Sequence, residues 1–264
     1  MNRDSNNLGS EELSKIEHIR EYWNKNPFEY QVSKSPPGTI DYFRDVESYY
    51  SKKYGYLKKY INHSKLGGKK GLDLGCGFGI NLVETTKAGA IVIGVDISDL
   101  AVEMSKKNLE VRNLNAEVIR EDGENLRYKD NSFDFIFAIS TVSYTLNPQR
   151  MVQEIHRMLK EGSEAYLTVY NTNSWLNTLF KALNKKTPRE ESPGFNQFSE
   201  KEFEQLLKSF SKVEITTDRF PFRTKSDNKI ETILFNNLFV PVFNLIPKKL
   251  LKSYGHHIIA KVVK

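Results

Sequence analysis

Apolar and polar positions change period several times along the chain, and each change marks an element. Over residues 11–23, Leu13, Ile16, Ile19 and Trp23 recur at helical spacing, with Ser10 placed as the cap. Asn26-Pro27 and Pro36-Pro37-Gly38 then mark turns. A second helix is expected over about 39–60, dense in aromatic residues. After Gly67-Gly68-Lys69-Lys70, short apolar runs alternate with amphipathic stretches. Strands are predicted near 70–74, 91–95, 116–120, 133–139 and 163–170. Helices are predicted near 79–88, 98–112 and 148–160, with Ser98 a cap and Pro148 in a first turn. Such alternation predicts an α/β fold around a doubly wound, mostly parallel sheet. Beyond residue 170 the alternation breaks. Polar, turn-rich residues fill 171–198, and Ser199-Glu200-Lys201-Glu202 forms a capping box ahead of Phe203, Leu206 and Leu207. Residues 213–217 read as a sixth strand, 219–255 as an insertion with a helix-like apolar run over 230–246, and 257–263 as a seventh strand. Residues 1–10 are polar and are expected to be disordered.

One stretch organises the rest: Gly71-Leu72-Asp73-Leu74-Gly75-Cys76-Gly77-Phe78-Gly79-Ile80. An apolar strand runs into alternating glycines and then into a helix. Such a turn lets a ligand press against backbone and meet the free N–H groups of the helix start. The dinucleotide fingerprint, G-x-G-x-x-G, is not met, because Ile80 stands where its last glycine belongs. Asp73 at the strand end would repel a pyrophosphate but suit an amino group. A second acid, Asp96, closes the next apolar run, where a carboxylate accepts hydrogen bonds from ribose hydroxyls. An adenosine joined to an amino acid without phosphate fits both acids, and S-adenosylmethionine is such a molecule.

Leu72-Asp73-Leu74-Gly75-Cys76-Gly77-Phe78-Gly79 resembles the first motif of the class I S-adenosylmethionine-dependent methyltransferases. Asp96 matches that family's ribose acid, and Asp122 in Arg120-Glu121-Asp122-Gly123 the acid beside the adenine amino group. Phe133-Asp134-Phe135-Ile136-Phe137-Ala138 is similar to its fourth strand, and Met158-Leu159-Lys160-Glu161-Gly162 to the turn before its fifth. The matches run in order over about residues 66–170. The resemblance implies a Rossmann-like sheet of seven strands with an antiparallel last strand. It implies S-adenosylmethionine held by Asp73, Gly75, Cys76, Gly77, Gly79, Asp96, Ile97, Asp122, Gly123 and Ser140. Some relatives place an N-terminal helical segment over the cofactor. Residues 1–65 are accordingly expected to form a lid on a core of 66–264, with insertions at 171–198 and 219–255 covering the acceptor. Aromatic rings suit a sulfonium, so Tyr42 is expected to touch the cofactor and Tyr50 the cofactor or acceptor, with Trp23 packed behind. Tyr144, Tyr170 and Asn171 are expected on the acceptor side. Tyr170-Asn171-Thr172-Asn173-Ser174 resembles a Tyr-His-x-Asn-Ser sequence of some bacterial small-molecule methyltransferases, with Asn171 in the histidine's place.

Composition narrows the partners. The 264 residues carry a net charge of +6, an excess that reads as mild and scattered, with no basic run interleaved with aromatics. Nucleic acid is therefore not implied. No Asn-Pro-Pro-Tyr or Asp-Pro-Pro-Tyr sequence follows the fourth strand, which argues against methylation of DNA base amines. The single cysteine, Cys76, offers neither an internal disulfide nor a metal cluster, and a reducing cytoplasmic setting fits. No stretch is apolar for the length of a membrane span, which leaves peripheral contact only. Methyl transfer from an activated donor needs position and desolvation first, and a base only if the acceptor must lose a proton. No catalytic base is assigned among His18, His63, His156, His256 and His257. Two readings stay open: a methyltransferase for a small, lipid-linked or saccharide-linked acceptor, and a binding module that has lost catalysis.

Overall fold

The structure, a computed structural model, describes residues 9–185, 187–222, 229–247 and 249–264. The expectation of disorder over 1–10 therefore lies mostly outside the described residues. One sheet runs through the molecule in the order β3-β2-β1-β4-β5-β8-β7, from β1 (Lys70–Leu74), β2 (Ile91–Asp96), β3 (Glu117–Arg120), β4 (Phe133–Ile139), β5 (Leu159–Asn171), β7 (Lys212–Asp218) and β8 (His257–Val263). All pair in parallel except β8, which lies antiparallel between β5 and β7. The seven expected strands form. A two-residue eighth, β6 (Gln197–Phe198), adds to the end of β5.

Strand alternation sets the two faces. Along β4, Phe135 and Phe137 enter one apolar cluster, while Ile136 and Ala138 enter the other. The first face is covered by α3 (Ile80–Lys87) and α4 (Asp99–Glu110), the second by α5 (Pro148–Met158) and α7 (Glu200–Leu206). Local chemistry places these helices. Ser98 caps α4 by accepting from the Ala101 amide, Pro148 opens α5, and the Ser199–Glu202 capping box closes the first turn of α7. The expected turn at 158–162 is instead a bulge in a continuous strand. Phe133 pairs with Leu159 and Phe135 with Glu164, and Gly162 takes φ 71° where the extra residues loop out.

The lead-in has two unlike parts. In α1 (Ser10–Lys25) only Ile19 is buried, and its N-cap is Gly9, with Ser10 already in the first turn. Ion pairs and hydrogen bonds tie it to the core: Arg20 to Asp99, Arg150 to Glu12, and Ser98 Oγ donating to Asn24 Oδ1 at 2.7 Å. By contrast, α2 (Ile40–Tyr54) buries Tyr42, Phe43, Val46 and Tyr54, and packs on Phe78, Ile80, Ala101 and Met104. It stops at Tyr54 rather than near residue 60, because a 3-10 turn over Gly55–Lys59 swings Leu57 into the sheet face. The second helix is part of the core, whereas the first is attached through polar contacts. Phe43→Ala is expected to lower stability by about 3–5 kcal/mol, and Leu13→Ala by less than about 0.5 kcal/mol, in urea unfolding followed by circular dichroism. Equal losses would mean that α1 is as deeply built in as α2.

Candidate functional site

A cavity of about 600 Å³ opens at the carboxyl ends of β1, β2 and β4, within the range of small-molecule sites. Its floor is the glycine turn after β1. Gly75 and Gly77 have φ of 72° and 53°, and the Gly75 and Cys76 amides both donate to Val95 O, at 2.7 and 3.0 Å. A Cβ on Gly75 would stand 2.2 Å from Thr141 Oγ1, whereas one on Gly77 would meet only Glu29 Oε1 at 3.6 Å, across the cavity wall. The first glycine lets the β4 loop close in; the second leaves room above the turn.

Asp96 is held by its backbone neighbours. Oδ2 accepts from the Gly77 amide at 2.9 Å and Oδ1 from the Ser98 amide at 3.0 Å. Burial raises its pKa and the amide hydrogen bonds pull it back. Asp73 lies under the cavity wall, 2% exposed, and its Oδ2 has no hydrogen-bond partner. Burial, and after it the charge of Asp96, push Asp73 up to about 7. An orphaned carboxylate oxygen beside a second carboxylate is a site for a cationic donor. Asp122 accepts from the Glu124 amide at 3.0 Å, and burial raises its pKa.

The other half of the cavity is aromatic. Trp23 meets Tyr144 edge-on with centroids 4.9 Å apart, and Tyr144 meets Tyr170 the same way at 5.7 Å. Tyr50 and Tyr54 lie tilted by 33° with ring centroids 4.5 Å apart, and Lys53 lies 4.9 Å from the Tyr54 ring. The loop after β4 is fixed from three sides. Ser140 takes φ 66° with its amide donating to Thr168 Oγ1 at 2.8 Å, Thr141 Oγ1 donates to Leu74 O at 2.7 Å, and the Tyr170 amide donates to Ser143 Oγ at 3.1 Å.

Of the residues expected at the site, Gly75, Cys76, Gly77, Asp96, Ile97, Asp122, Gly123, Ser140, Tyr50, Tyr144 and Tyr170 line this cavity. Four do not. Asp73 sits beneath the wall. Gly79 turns away from it, and a Cβ there would stand 2.4 Å from Ser105 Oγ. Tyr42 is 1% exposed and packs behind Phe78 against Phe43, so its ring faces core and not ligand. Asn171 is 1% exposed, and its Nδ2 donates to Ser253 O and Gly255 O, both at 2.8 Å, which uses its amide hydrogens. Trp23, expected behind the tyrosines, is itself in the wall. The sequence reading missed Glu29, Lys53 and Glu124. Glu29 follows the Asn26-Pro27 turn, and no periodicity marks it. Lys53 had a faint signal, one helical turn beyond Tyr49 and Tyr50. None of the histidines lines the cavity. His156 packs on Phe210 with centroids 5.0 Å apart; His257 is fully buried between Tyr56 and Arg219.

Comparison with known proteins places this geometry. A methyltransferase domain family matches residues 72–167. A ubiquinone biosynthesis O-methyltransferase of Coxiella burnetii is 28% identical over 174 residues, 66% of this chain and 67% of that one. An uncharacterised protein of Methanocaldococcus jannaschii is 28% identical over 192 residues, 72% of this chain and 85% of its own. Among solved structures, a SAM-dependent methyltransferase of Thermotoga maritima superposes with a TM-score of 0.61 at 19% identity, over 94% of this chain and 100% of that one. Magnesium protoporphyrin IX methyltransferase of Synechocystis, with bound SAH, gives 0.59 at 16% identity, over 93% and 98%. With the strand order, the glycine turn and the acid at the end of β2, these likenesses converge: the chain carries a methyltransferase domain over residues 72–167 and shares the fold of the class I S-adenosylmethionine-dependent methyltransferases that it resembles.

Proposed function

We propose that the cavity holds S-adenosylmethionine in its acidic half and a small-molecule, lipid-linked or saccharide-linked acceptor in its aromatic half. The observation that carries this reading is that division within one continuous cavity. Asp96 would accept from the ribose hydroxyls, Asp122 and Gly123 would meet the adenine, and Gly75, Cys76 and Gly77 would present backbone to the rest. Asp73 fits the ammonium, because its Oδ2 is buried without a donor. Glu29 adds a second carboxyl above Gly77.

When bound, the cofactor supplies an activated methyl group on a cationic sulfur. This chain's residues position the acceptor and exclude water. Trp23, Tyr144 and Tyr170 form a flat-sided slot suited to a ring. Lys53, buried in the wall, suits an acceptor that carries or develops negative charge on oxygen. The relatives named ubiquinone biosynthesis O-methyltransferases support an oxygen on a lipid-linked ring as acceptor. With no histidine in the wall, the reading rests on position and desolvation and not on a histidine base. The N-terminal helix α1 brings Ile16, Ile19, Tyr22 and Trp23 over the cavity and acts as the lid.

The test of the reading is transfer of label from methyl-labelled S-adenosylmethionine into phenolic and lipid-extract acceptors. Label in none of them, with cofactor binding intact, would overturn it. Trp23→Ala is expected to raise the acceptor's KM roughly ten-fold or more, by loss of one wall of the slot, while S-adenosylhomocysteine binds as before. A change in cofactor affinity alone would move Trp23 out of the acceptor half.

Asp96→Ala should weaken S-adenosylhomocysteine binding by about 2–3 kcal/mol, or about 30- to 150-fold, through loss of charge-assisted hydrogen bonds. Gly77→Val should abolish binding, since its side chain would enter the room above the turn. Calorimetry reads both, and unchanged affinity in Asp96→Ala would remove the ribose assignment.

Asp73 sets a pH dependence. Its folded-state pKa of about 7 lies above the unfolded value of about 4. Folding therefore takes up a proton in that window, and the stability Asp73 contributes is lost as pH rises from about 4 to about 7. Asp73→Asn should flatten this part of the stability profile in urea titrations at stepped pH. Binding an ammonium beside Asp73 favours the ionised form, so S-adenosylhomocysteine binding near pH 6 should release a proton and tighten toward pH 8. Calorimetry in buffers of different ionisation heat measures that release. No release, or the same release from Asp73→Asn, would separate Asp73 from the ligand.

A further inference from the structure

The insertion between β7 and β8 contains a surface helix that breaks the usual rule for surface helices. It runs as α8 (Lys229–Leu234), a π-turn over Phe235–Phe239 and α9 (Val240–Asn244). Its inner face is accounted for: Phe235, Phe239 and Phe243 lie 6.3, 6.0 and 6.0 Å from Trp175 of α6 (Trp175–Ala182). Its outer face should be polar. Instead Ile230, Leu234, Leu238, Val242 and Leu245 follow one another at helical spacing and are 55–82% exposed. No charged residue occurs between Glu231 and Lys248, and Leu250 extends the apolar face at 69% exposure. An apolar stripe of this length on the outside of a chain marks an interaction surface.

Charge says what covers it. The chain's positive excess is concentrated in this segment and not scattered. Residues 219–255 hold seven basic residues (Arg219, Arg223, Lys225, Lys229, Lys248, Lys249, Lys252) against Asp227 and Glu231. That leaves five net positive charges, where the whole chain carries six. A second copy docked through the same face would bring two such segments together and repel itself. An anionic bilayer attracts the lysines at its headgroups and takes the aliphatic stripe below them. None of the described helices is long and apolar enough to cross a membrane, so the contact lies in the interface.

We propose that residues 229–250 dock the protein on anionic membrane surfaces. The placement serves the cavity. The segment is anchored on Trp175, four residues after Asn171 at the end of β5, and Tyr170 of the same strand lines the acceptor half. Only that link to a lipid-linked acceptor rests on the function proposed above; the docking itself does not.

Flotation of the full chain with vesicles tests it. Phosphatidylcholine vesicles containing phosphatidylglycerol should bind the chain roughly ten-fold or more tightly than phosphatidylcholine alone, and added salt should weaken the binding. Leu238→Glu/Leu245→Glu should abolish it. Lys249→Gln/Lys252→Gln should weaken it by roughly 25-fold, at about five-fold per charge. Both variants should keep the wild-type thermal shift with S-adenosylhomocysteine, which shows that they fold. Failure of the wild type to float, or equal flotation of Leu238→Glu/Leu245→Glu, overturns the proposal. So does a concentration-dependent dimer in sedimentation equilibrium that the same double variant dissolves while vesicle binding is absent. Flotation without methyl transfer to any acceptor would support the docking face and count against the function proposed for the cavity.

Discussion

Two carboxylates at neighbouring strand ends govern this site. Asp73 pairs in register with Gly94 on β2, and Asp96 ends that strand two residues later. Both are removed from bulk water, where like charges interact far more strongly than at a surface. The protein resolves the conflict unequally. Asp96 receives amide hydrogen bonds from Gly77 and Ser98, while Asp73 Oδ2 receives none. At Asp96 the amide hydrogen bonds partly offset the upward push of burial, whereas Asp73 sits near 7. The glycine turn is a condition of this arrangement, because the Gly77 amide that holds Asp96 is presented by a residue at positive φ. Strand, turn and acid pair thus form one electrostatic unit.

The aromatic half follows a different logic. Its tyrosines look alike in sequence, yet packing sorts them into two jobs. Those whose rings point from α2 toward Phe78 and Ala101, as Tyr42 does, stabilise the core. Those about two or three helical turns later, Tyr50 and Tyr54, reach the cavity. The first helix contributes Trp23 to the same cavity while burying only Ile19. An element that holds few apolar contacts opens at low cost in free energy. The wall supplied by α1 therefore rests on fewer buried apolar contacts than that supplied by α2.

The sheet, the caps of α4 and α7 and the acid at the end of β2 were legible because each is a local signal. A β-strand shows its period, and a capping box needs only four residues. The side of a helix that meets ligand instead of core is not local. Tyr42 and Tyr50 have the same composition around them, and only the crossing of α2 over Phe78 tells them apart. Asn171 is expected on the acceptor side from its place at the end of β5, but its partners, Ser253 and Gly255, lie more than 80 residues away. Glu29 escaped notice for the same reason: its place above Gly77 comes from the folding back of the lead-in, which no spacing records. The charge of 219–255 was open to inspection in the sequence; its meaning came only with the exposed apolar stripe beside it.

That stripe is coupled to the cavity by a buried polar hub at the end of β5. Asn171 Nδ2 donates to Ser253 O and Gly255 O, and Asn177 Nδ2 to Asn171 O, Thr172 O and Gln197 Oε1. Trp175 Nε1 donates to Arg219 O at 2.9 Å, and the Trp175 amide to Tyr254 O at 2.9 Å. Irregular chain entering and leaving an insertion leaves carbonyls that must find donors when buried. Here the donors come from residues directly after β5, so both ends of the insertion are fastened to the strand that supplies Tyr170. Breaking these hydrogen bonds at the two ends of the insertion costs about 1–3 kcal/mol for each group left unsatisfied. The exposed face is therefore tied to the aromatic half of the cavity through Trp175, on which Phe235, Phe239 and Phe243 pack.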